Sequence, residues 1–306
     1  MRVFSLFDGI SCGLLALKRA GIKVSSYFAS EIDKHAIAIS KMQHPDIQQV
    51  GDVTKLSGKD FPKIDILIGG SPCQSFSVAG DGSGFEGKSG LFFEYLRLLE
   101  EVCPKFFLLE NVYMKKEWKD AISKELGVEP VLINSSHFSA QSRKRLYWTN
   151  IPVPQLPPPK KEVLQDILEF EDLNVYGQLK EIFHSDPVFS KDGLCHIANA
   201  DLRGSESIKR VYHPAGKGPT LTTMRGGHRE PKILYKDGWR KLTPLECERL
   251  QTLPDNYTLL GQYEGVAKKV ANTNRYRAIG NGWTVDVIAH ILKGLLSEKA
   301  AKKEEC

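Results

Sequence analysis

Three short groups of residues in this chain could together do chemistry on a planar ring. The first is the run GGSPCQSFS over residues 69–77, which carries a thiol at Cys73. The second begins at Glu110, and the third is the run QSRKR over residues 141–145. Each group adjoins a strand-like apolar run. A nucleophilic thiol, a carboxyl group and paired arginines are therefore predicted at neighbouring strand ends, where they can hold and attack one heterocycle.

The elements that must position these groups alternate along the first half of the chain. Short apolar runs predict strands near residues 2–7, 24–29, 64–68, 106–109, 128–133 and 146–149. Helical spacing of apolar residues predicts helices near residues 14–19, 33–42 and 91–102. This alternation predicts an α/β fold with a mostly parallel sheet and helices on both faces.

The alternation ends at the proline-rich stretch 151–159, which predicts an extended linker because proline fixes φ and removes a backbone donor. The region that follows, up to residue 240, shows no regular pattern and is predicted to be irregular. Its second part, residues 203–240, carries nine Lys and Arg against three Asp and Glu. This excess of positive charge favours a polyanionic partner.

A helix start is predicted at Thr243, because Thr243 and Glu246 can form a capping box around Pro244. An apolar stripe predicts a last helix near residues 285–296. We therefore expect a catalytic domain over 1–151, a second, smaller domain over 152–240 and a return segment over 241–306.

Composition narrows the class of protein further. The apolar fraction of 41% allows a sizeable core, and the net charge of +5 is mildly basic. None of the six cysteines forms a C-x-x-C pair, so no metal site is predicted and reduced thiols are expected. The sequence shows neither a secretory signal nor a membrane span, and we expect a cytoplasmic protein with no membrane partner.

A nucleoside site is predicted at the ends of the first three strands. The run FDGISCG over residues 7–13 brings a glycine-containing turn to a helix start, although its spacing is not that of a dinucleotide-binding loop. Glu31 follows the second strand, where a carboxylate can accept from both ribose hydroxyls. Asp52 follows the third strand and can accept a hydrogen bond from an adenine amine.

The residue sequences of these groups and their order along the chain resemble the motifs of the DNA (cytosine-5) methyltransferase family. The run RKLTPLECERLQTLP over 240–254 matches its R-x-L-T-x-x-E-x-x-R-L-Q signature, and RAIGNGWTV over 277–285 matches its closing motif. The chain departs from the common pattern at Ser71-Pro72, where Pro-Pro is usual. It departs again in the closing motif, where most members have GNSV and Gly-Trp-Thr-Val follows Gly280-Asn281 in this chain. Trp283 and the opening run SLFDGI are similar to the corresponding residues of the eukaryotic de novo methyltransferases. The chain as a whole resembles a bare bacterial or phage catalytic unit.

The resemblance implies a Rossmann-like S-adenosylmethionine-dependent methyltransferase sheet with a smaller irregular target-recognition domain. The implied catalytic residues are Cys73, Glu110, Arg143 and Arg145. The implied cofactor-binding residues are Phe7, Asp8, Gly9, Ile10, Cys12, Glu31, Ile32, Asp52, Val53, Leu91, Asn281 and Trp283. The residues expected to bind DNA are Gln74, Ser77, Thr222, Thr223, Arg225, Arg229 and Arg249.

The implied reaction is methylation of cytosine at C5, with S-adenosylmethionine as donor and S-adenosylhomocysteine as product. Cys73 would add to C6, Glu110 would contact the N3/N4 edge, Arg145 would contact O2 and Arg143 would support the catalytic loop. The target base must leave the duplex, and the glycine-rich loop over residues 74–90 would close over it. The expected partner is double-stranded DNA, bound by a monomer, with a restriction endonuclease as a possible companion.

Three other functions use the same residues differently. A tRNA cytosine methyltransferase shares the fold but carries a Cys-Phe-Thr element, which this chain lacks. An inactive DNA-binding regulator would not need Cys73 and Glu110 to be intact. A cysteine hydrolase would need a histidine partner, and His137 and His213 lie in no recognisable context.

The nucleophile assignment predicts that Cys73→Ser abolishes methyl transfer while the protein still folds, because a serine hydroxyl ionises far less readily than a thiol. Methyl incorporation into DNA and circular dichroism of the purified variant measure the two properties. Full activity in the variant would contradict the assignment.

Overall fold

The computed structural model describes residues 1–72, 90–169, 173–183, 186–224 and 226–296. Cys73, Gln74, Ser77 and Arg225 lie outside the described residues, as does nearly all of the predicted loop over 74–90. The chain divides into two compact units. The first comprises residues 1–133, 144–155 and the chain from Val285 onward, and the second comprises residues 134–143 and 156–284.

Strands and helices alternate along the first unit, as the sequence predicts. Both units together contain the following elements in the described residues. The strands are β1 (Arg2–Leu6), β2 (Ser26–Ser30), β3 (Gln48–Gln49), β4 (Ile66–Gly69), β5 (Phe106–Val112), β6 (Val131–Asn134), β7 (Lys144–Thr149), β8 (Leu179–Ile182), β9 (His196–Ala200), β10 (Arg210–Tyr212), β11 (Lys232–Tyr235), β12 (Gly238–Lys241), β13 (Leu260–Tyr263) and β14 (Val266–Lys269). The helices are α1 (Cys12–Arg19), α2 (Lys34–Gln43), α3 (Leu91–Val102), α4 (Lys116–Leu126), α5 (Glu206–Lys209), α6 (Pro244–Leu250), α7 (Asn272–Asn281) and α8 (Val285–Leu292).

The first unit is built on a seven-stranded mixed sheet with the order β3-β2-β1-β4-β5-β7-β6. Strands β3, β2, β1, β4 and β5 pair in parallel, and β7 pairs antiparallel to β5. Every residue of β4 is buried, as expected for a strand covered on both faces. The prediction of a mostly parallel α/β sheet is confirmed, with β7 as the antiparallel exception.

The helices of the first unit begin and end for local reasons. Asp33 caps α2, because its carboxylate accepts the backbone N–H groups of His35 and Ala36. Gly127 follows α4 with a φ of +68°, which glycine adopts without strain. Helix α8 packs on α1, and every residue of its predicted apolar stripe up to Leu292 is buried. Burial of this stripe accounts for the position of the last helix in the first unit.

The region predicted to be irregular contains more regular structure than expected. A five-stranded sheet with the order β12-β11-β10-β9-β8 lies in the second unit, and Trp239 is buried in its core. These strands are short, and β8 has only one residue that is not exposed. Short strands without clean alternation leave little periodic signal in the sequence, which is why they were not predicted.

The predicted capping box is present at the start of α6. Thr243 accepts the N–H of Glu246, and Glu246 accepts the N–H of Thr243 at 2.8 Å. The same carboxylate accepts two hydrogen bonds from Arg240, at 2.8 and 2.7 Å, and the side chains are 4% and 0% exposed. The first glutamate of the signature motif therefore serves a cap and a buried ion pair at once.

The compact units divide the chain differently from the predicted domains. Residues 134–143 belong to the second unit, and the predicted return segment over 241–306 is split, since α6 and α7 lie in the second unit. Only the chain from Val285 onward belongs to the first unit. A helix that is long and apolar enough to cross a membrane does not occur in the described part of the chain.

Glu246→Ala should destabilise the protein by about 3–5 kcal/mol, because it leaves the buried guanidinium of Arg240 without its partner and removes the cap. Glu125, which is exposed on α4, offers a matched control, and Glu125→Ala should change stability by less than about 0.5 kcal/mol. Urea unfolding measures both variants. Equal stability of the two would contradict the structural role of Glu246.

Candidate active site

The turn after β1 is shaped by backbone conformations that bring it close to β2. Phe7 and Gly9 have φ values of +56° and +59°, and a Cβ placed on Gly9 would meet no atom within 4 Å. The N–H of Gly9 donates to Oε2 of Glu31 at 2.8 Å. The first two strand ends are thus tied together, with open space over the glycine.

Glu31 is held in place by the chain that follows it. Its Oε1 accepts the N–H groups of Ile32 at 2.8 Å and Asp33 at 2.9 Å. The side chain of Ile32 is 75% exposed, which is unusual for a large aliphatic residue beside a buried strand. The second strand end therefore presents a fixed carboxylate next to an exposed apolar side chain, and both groups suit a nucleoside.

Asp52 begins the turn that follows β3. Its Oδ1 accepts the backbone N–H of Thr54 at 3.0 Å and the Thr54 hydroxyl at 2.9 Å. The backbone N–H and then the hydroxyl of Thr54 hold the pKa of Asp52 below its ordinary value. The side chain stays ionised at neutral pH and can accept a hydrogen bond from an amine. Val53, the next residue, is buried.

The side chain of Asp8, a predicted cofactor-binding residue, has its partners inside the protein. Its carboxylate accepts the hydroxyls of Tyr27, at 2.6 Å, and Ser11, and Ser11 also bonds with Ser40 at 2.6 Å. Burial raises the pKa of Asp8, partly offset by these hydrogen bonds. The side chain belongs to an interior polar network, and the backbone N–H of Asp8 donates to the carbonyl oxygen of Ser30 at 3.0 Å, so a cofactor contact by Asp8 stays a prediction.

Three further predicted cofactor residues have side chains that point into or along the core. Ile10 and Cys12 are 0% and 3% exposed, so their side chains pack inside the protein. Leu91 is the first residue of α3, and its half-buried side chain packs against the core cluster of the sheet. We therefore expect backbone contacts from Ile10 and Cys12, and a side-chain contact only from Leu91.

The approach to Cys73 is fixed by β4 and β5. Gly69 is at the end of β4, where a Cβ would lie 3.0 Å from the carbonyl oxygen of Leu6 and 3.1 Å from the ring of Tyr95. Two residues later, the buried hydroxyl of Ser71 accepts a hydrogen bond from the Asn111 amide at 3.2 Å. Asn111 therefore anchors the segment that leads to the thiol.

Glu110 and Arg145 form an ion pair beside this segment. Nε of Arg145 lies 3.0 Å from Oε1 of Glu110, and the side chains are 13% and 12% exposed. The pair is possible because β7 runs antiparallel to β5, so that Arg145 is opposite Val112 at the end of β5. The structure thus brings together the predicted carboxyl group and one of the two predicted arginines.

Arg143 has a different environment from Arg145. In the second unit, its guanidinium donates to the carbonyl oxygens of Leu221 at 2.8 Å, Gly280 at 3.3 Å and Gly282 at 3.2 Å. The residue is 4% exposed. Because its donors satisfy backbone carbonyls of two motif segments, Arg143 positions those segments and does not present its charge to a substrate.

Two buried glutamines complete this network, although neither was among the predicted site residues. Nε2 of Gln141 donates to Oε1 of Gln251 at 3.2 Å, and Oε1 of Gln141 accepts the N–H of Leu221 at 3.0 Å. Nε2 of Gln251 donates to the carbonyl oxygens of Ile279 and Gly282, each at 3.0 Å. Gln141 precedes Arg143 by two residues, and that proximity was the available signal.

The residues predicted to bind DNA separate into two groups. Thr222 and Arg229 are exposed and Thr223 is half-buried, and all three lie in the second unit. Arg249, in contrast, makes two ion-pair contacts with Asp255, at 2.9 and 2.6 Å, and donates to the carbonyl oxygens of Ile167 and Leu168. Its donors are used inside the protein, so the structure does not support a DNA contact for Arg249.

Two predicted cofactor residues, Asn281 and Trp283, lie in the second unit around the end of α7. Asn281 is exposed and Trp283 is half-buried. The contribution of both residues to cofactor binding stays a prediction.

Comparisons with known proteins identify the family. The chain matches the C-5 cytosine-specific DNA methylase family over residues 1–297. It is 32% identical to the type II methyltransferase M1.ScrFI of Lactococcus lactis subsp. cremoris, over 98% of this chain and 80% of that protein. It is 28% identical to the orphan methyltransferase M.SPBetaI of Bacillus phage SPbeta, over 100% of this chain and 99% of that protein.

A solved structure supports the same fold. The Entamoeba histolytica methyltransferase EhMeth superposes with a TM-score of 0.71 at 16% identity, covering 98% of each chain. The chain therefore belongs to the C-5 cytosine-specific DNA methylase family. It is a DNA (cytosine-5) methyltransferase, as the sequence resemblance predicted.

Two motif segments approach each other closely at Gly280 and Thr222. A Cβ on Gly280 would lie 1.8 Å from the carbonyl oxygen of Thr222, a backbone atom that cannot rotate away. Gly280→Ala should therefore destabilise the protein by about 3 kcal/mol and lower its affinity for DNA.

Gly90 supplies the matched control, because a Cβ there meets no atom of the described residues within 4 Å. Gly90→Ala should retain wild-type stability. Thermal unfolding measures both variants, and a stable Gly280→Ala protein would show that the two segments do not pack as described.

Proposed function

We propose that Cys73, Glu110 and Arg145 form the cytosine site of this methyltransferase. The observation that carries the proposal is the Glu110–Arg145 ion pair, which lies beside the strand end that leads to Cys73. Glu110 accepts a hydrogen bond from the N4 amine at the N3/N4 edge of the ring, and Arg145 donates to O2. Both groups are held by strands rather than by loops, and this rigidity favours catalysis by orientation.

The chemistry requires these groups because C5 of cytosine is a weak nucleophile. The Cys73 thiolate forms a bond to C6, and the electron pair of the C5–C6 double bond becomes available at C5. A proton that reaches N3 through the Glu110 carboxyl group, together with Arg145 at O2, neutralises the negative charge that develops across N3 and O2. After the methyl group is bonded to C5, water acting as a base takes the C5 proton, the C–H electron pair re-forms the C5–C6 double bond, and the Cys73 thiolate leaves C6.

The ends of β1, β2 and β3 fit S-adenosylmethionine, which supplies the methyl group when bound. Glu31 accepts from the ribose hydroxyls, Asp52 accepts from the adenine amine, and Ile32 covers one face of the adenine with its exposed side chain. The space over Gly9, where a Cβ would meet no atom of the described residues within 4 Å, admits a ligand against the backbone, and the partly buried ring of Phe7 lies two residues before it. The backbones of Asp8, Ile10 and Cys12 border the same site.

Duplex DNA is the proposed acceptor, and the second unit supplies the recognition surface. Thr222, Thr223 and Arg229 contact the duplex in this proposal, together with the predicted Gln74, Ser77 and Arg225. Arg143 supports that surface by holding Leu221, next to Thr222, in place. The type II name of the Lactococcus relative favours a companion restriction endonuclease, whereas the phage relatives are named orphan methyltransferases.

Glu110→Gln should lower kcat for methyl transfer by about 100-fold or more, because the amide keeps the shape of the side chain but cannot carry a proton to N3. The control is Glu117→Gln, an exposed residue of α4, which should keep the wild-type rate. Tritium transfer from labelled S-adenosylmethionine to DNA gives the rates.

The acceptor is tested by expressing the wild-type chain in a host without cytosine methylation and sequencing bisulfite-treated DNA. Methylation confined to one short sequence context is expected. Unmodified DNA together with labelled RNA would overturn the assignment of DNA as the acceptor.

A further inference from the structure

We propose that the β13–β14 hairpin (Leu260–Lys269) is a second contact for the phosphate backbone of duplex DNA, made through Lys268 and Lys269. This inference rests on the proposed function, since it takes duplex DNA as the acceptor. The hairpin is separate from the loop around Thr222 that carries the predicted recognition residues. Neither the sequence motifs nor the predicted DNA-binding residues include it.

The hairpin projects from the second unit as an isolated two-stranded ribbon. All four residues of β14 are exposed, and Val266 alone is 55% exposed. Its turn has positive φ at Glu264 (+49°) and Gly265 (+83°), the conformation of the tight turns that match the twist of hairpin strands. A two-stranded ribbon is marginally stable by itself, so an exposed one that is kept in the fold favours a binding role.

The charge of the hairpin is complementary to DNA. Lys268 and Lys269 are exposed, and in the part of the chain that the structure describes neither has an ion-pair partner. Lys268 is opposite Gly261, which has no side chain to cover the lysine stem. The single carboxylate of the ribbon, Glu264, is at the turn and away from this end. Consecutive residues of a strand point to opposite faces, so the two uncompensated ammonium groups lie on either side of the ribbon and attract phosphates there without regard to base sequence.

The position of the hairpin gives the spacing of the contact. Val270 donates its N–H to Leu259, which closes the base of the ribbon directly before α7. Helix α7 has ten residues and is therefore about 15 Å long, and its far end at Gly280 touches the backbone of Thr222. The base of the hairpin therefore lies roughly 15 Å from the loop around Thr222, a distance that spans about four or five phosphates along one DNA strand.

This spacing separates two tasks on one duplex. The loop around Thr222 reads the target, and the hairpin holds the backbone outside it. A contact of this kind contributes affinity but little sequence information. Loss of the lysines should therefore weaken binding to all duplexes and leave the methylated sequence context unchanged.

The test measures how the affinity for duplex DNA depends on salt. For Lys268→Gln/Lys269→Gln, the slope of log Kd against log salt should fall by about 1.8, because each phosphate contact contributes about 0.9. Over a fourfold rise in salt, the affinity of the variant should then change about 12-fold less than that of the wild type. Lys268→Arg/Lys269→Arg should keep the wild-type slope, because arginine also neutralises phosphate.

A second double variant controls for the loss of two charges. Lys23 and Lys63 are exposed and precede β2 and β4, so they lie at the opposite edge of the sheet from the predicted active site. Lys23→Gln/Lys63→Gln should keep the wild-type slope. For the hairpin variant, kcat at saturating DNA should be unchanged while KM for DNA rises.

The outcomes distinguish this proposal from the function on which it rests. An unchanged slope in a folded hairpin variant would overturn the proposal, and self-association of that variant would then assign the lysines to protection of the β14 edge. A single variant, Lys268→Gln, should lower the slope by about 0.9 and serves if the double variant does not fold. A wild-type chain that binds no duplex would instead overturn DNA as the acceptor.

Discussion

The antiparallel pairing of β7 with β5 is the constraint on which the candidate active site depends. In a parallel sheet, the carboxyl ends of all strands lie at one edge, and this edge carries Glu31, Asp52 and Glu110. A residue at the beginning of a strand reaches that edge only if its strand runs in the opposite direction. Because β7 does so, Arg145 meets Glu110 within 3.0 Å. The direction of β7 thus places the guanidinium of Arg145 at the edge of the sheet that carries these carboxylates.

A second constraint acts inside the second unit, where motif segments meet through buried polar groups. Arg143, Gln141 and Gln251 satisfy the carbonyl and N–H groups of these segments, and a buried polar group without a partner would be costly. The absence of a Cβ at Gly280 then lets two backbones touch. Several residues of the sequence signature therefore maintain the fold of the second unit.

Much of the first unit could be predicted from the sequence because its signals are local. The continuous apolar run at β4 and the helical stripe of α3 have the periods that burial imposes, and the structure has both elements. The direction of β7 could not be predicted, since hydrophobic periodicity is the same for parallel and antiparallel strands. Helix α4 was missed although Trp118, Ile122 and Leu126 are spaced four residues apart, a signal that the sequence does contain.

The roles of charged residues were harder to predict than the elements that carry them. Arg249 and Arg143 have the same type of side chain as Arg145, but their guanidinium groups are used by Asp255 and by backbone carbonyls. Asp8 lies within the nucleoside-site motif, yet its carboxylate turns inward to Tyr27 and Ser11. Such partners are distant in sequence and become neighbours only in the folded chain, so spacing alone cannot distinguish a substrate contact from a structural one.

The most direct test of the central claim is to trap the bond between Cys73 and the target base. A duplex in which fluorine replaces the C5 hydrogen of the target cytosine accepts the thiolate and the methyl group but has no C5 proton to lose. The account predicts a stable covalent complex, with the base attached to Cys73 when the digested complex is analysed by mass spectrometry. A base attached to another residue, or efficient methylation of ordinary duplex without any trapped complex, would contradict it.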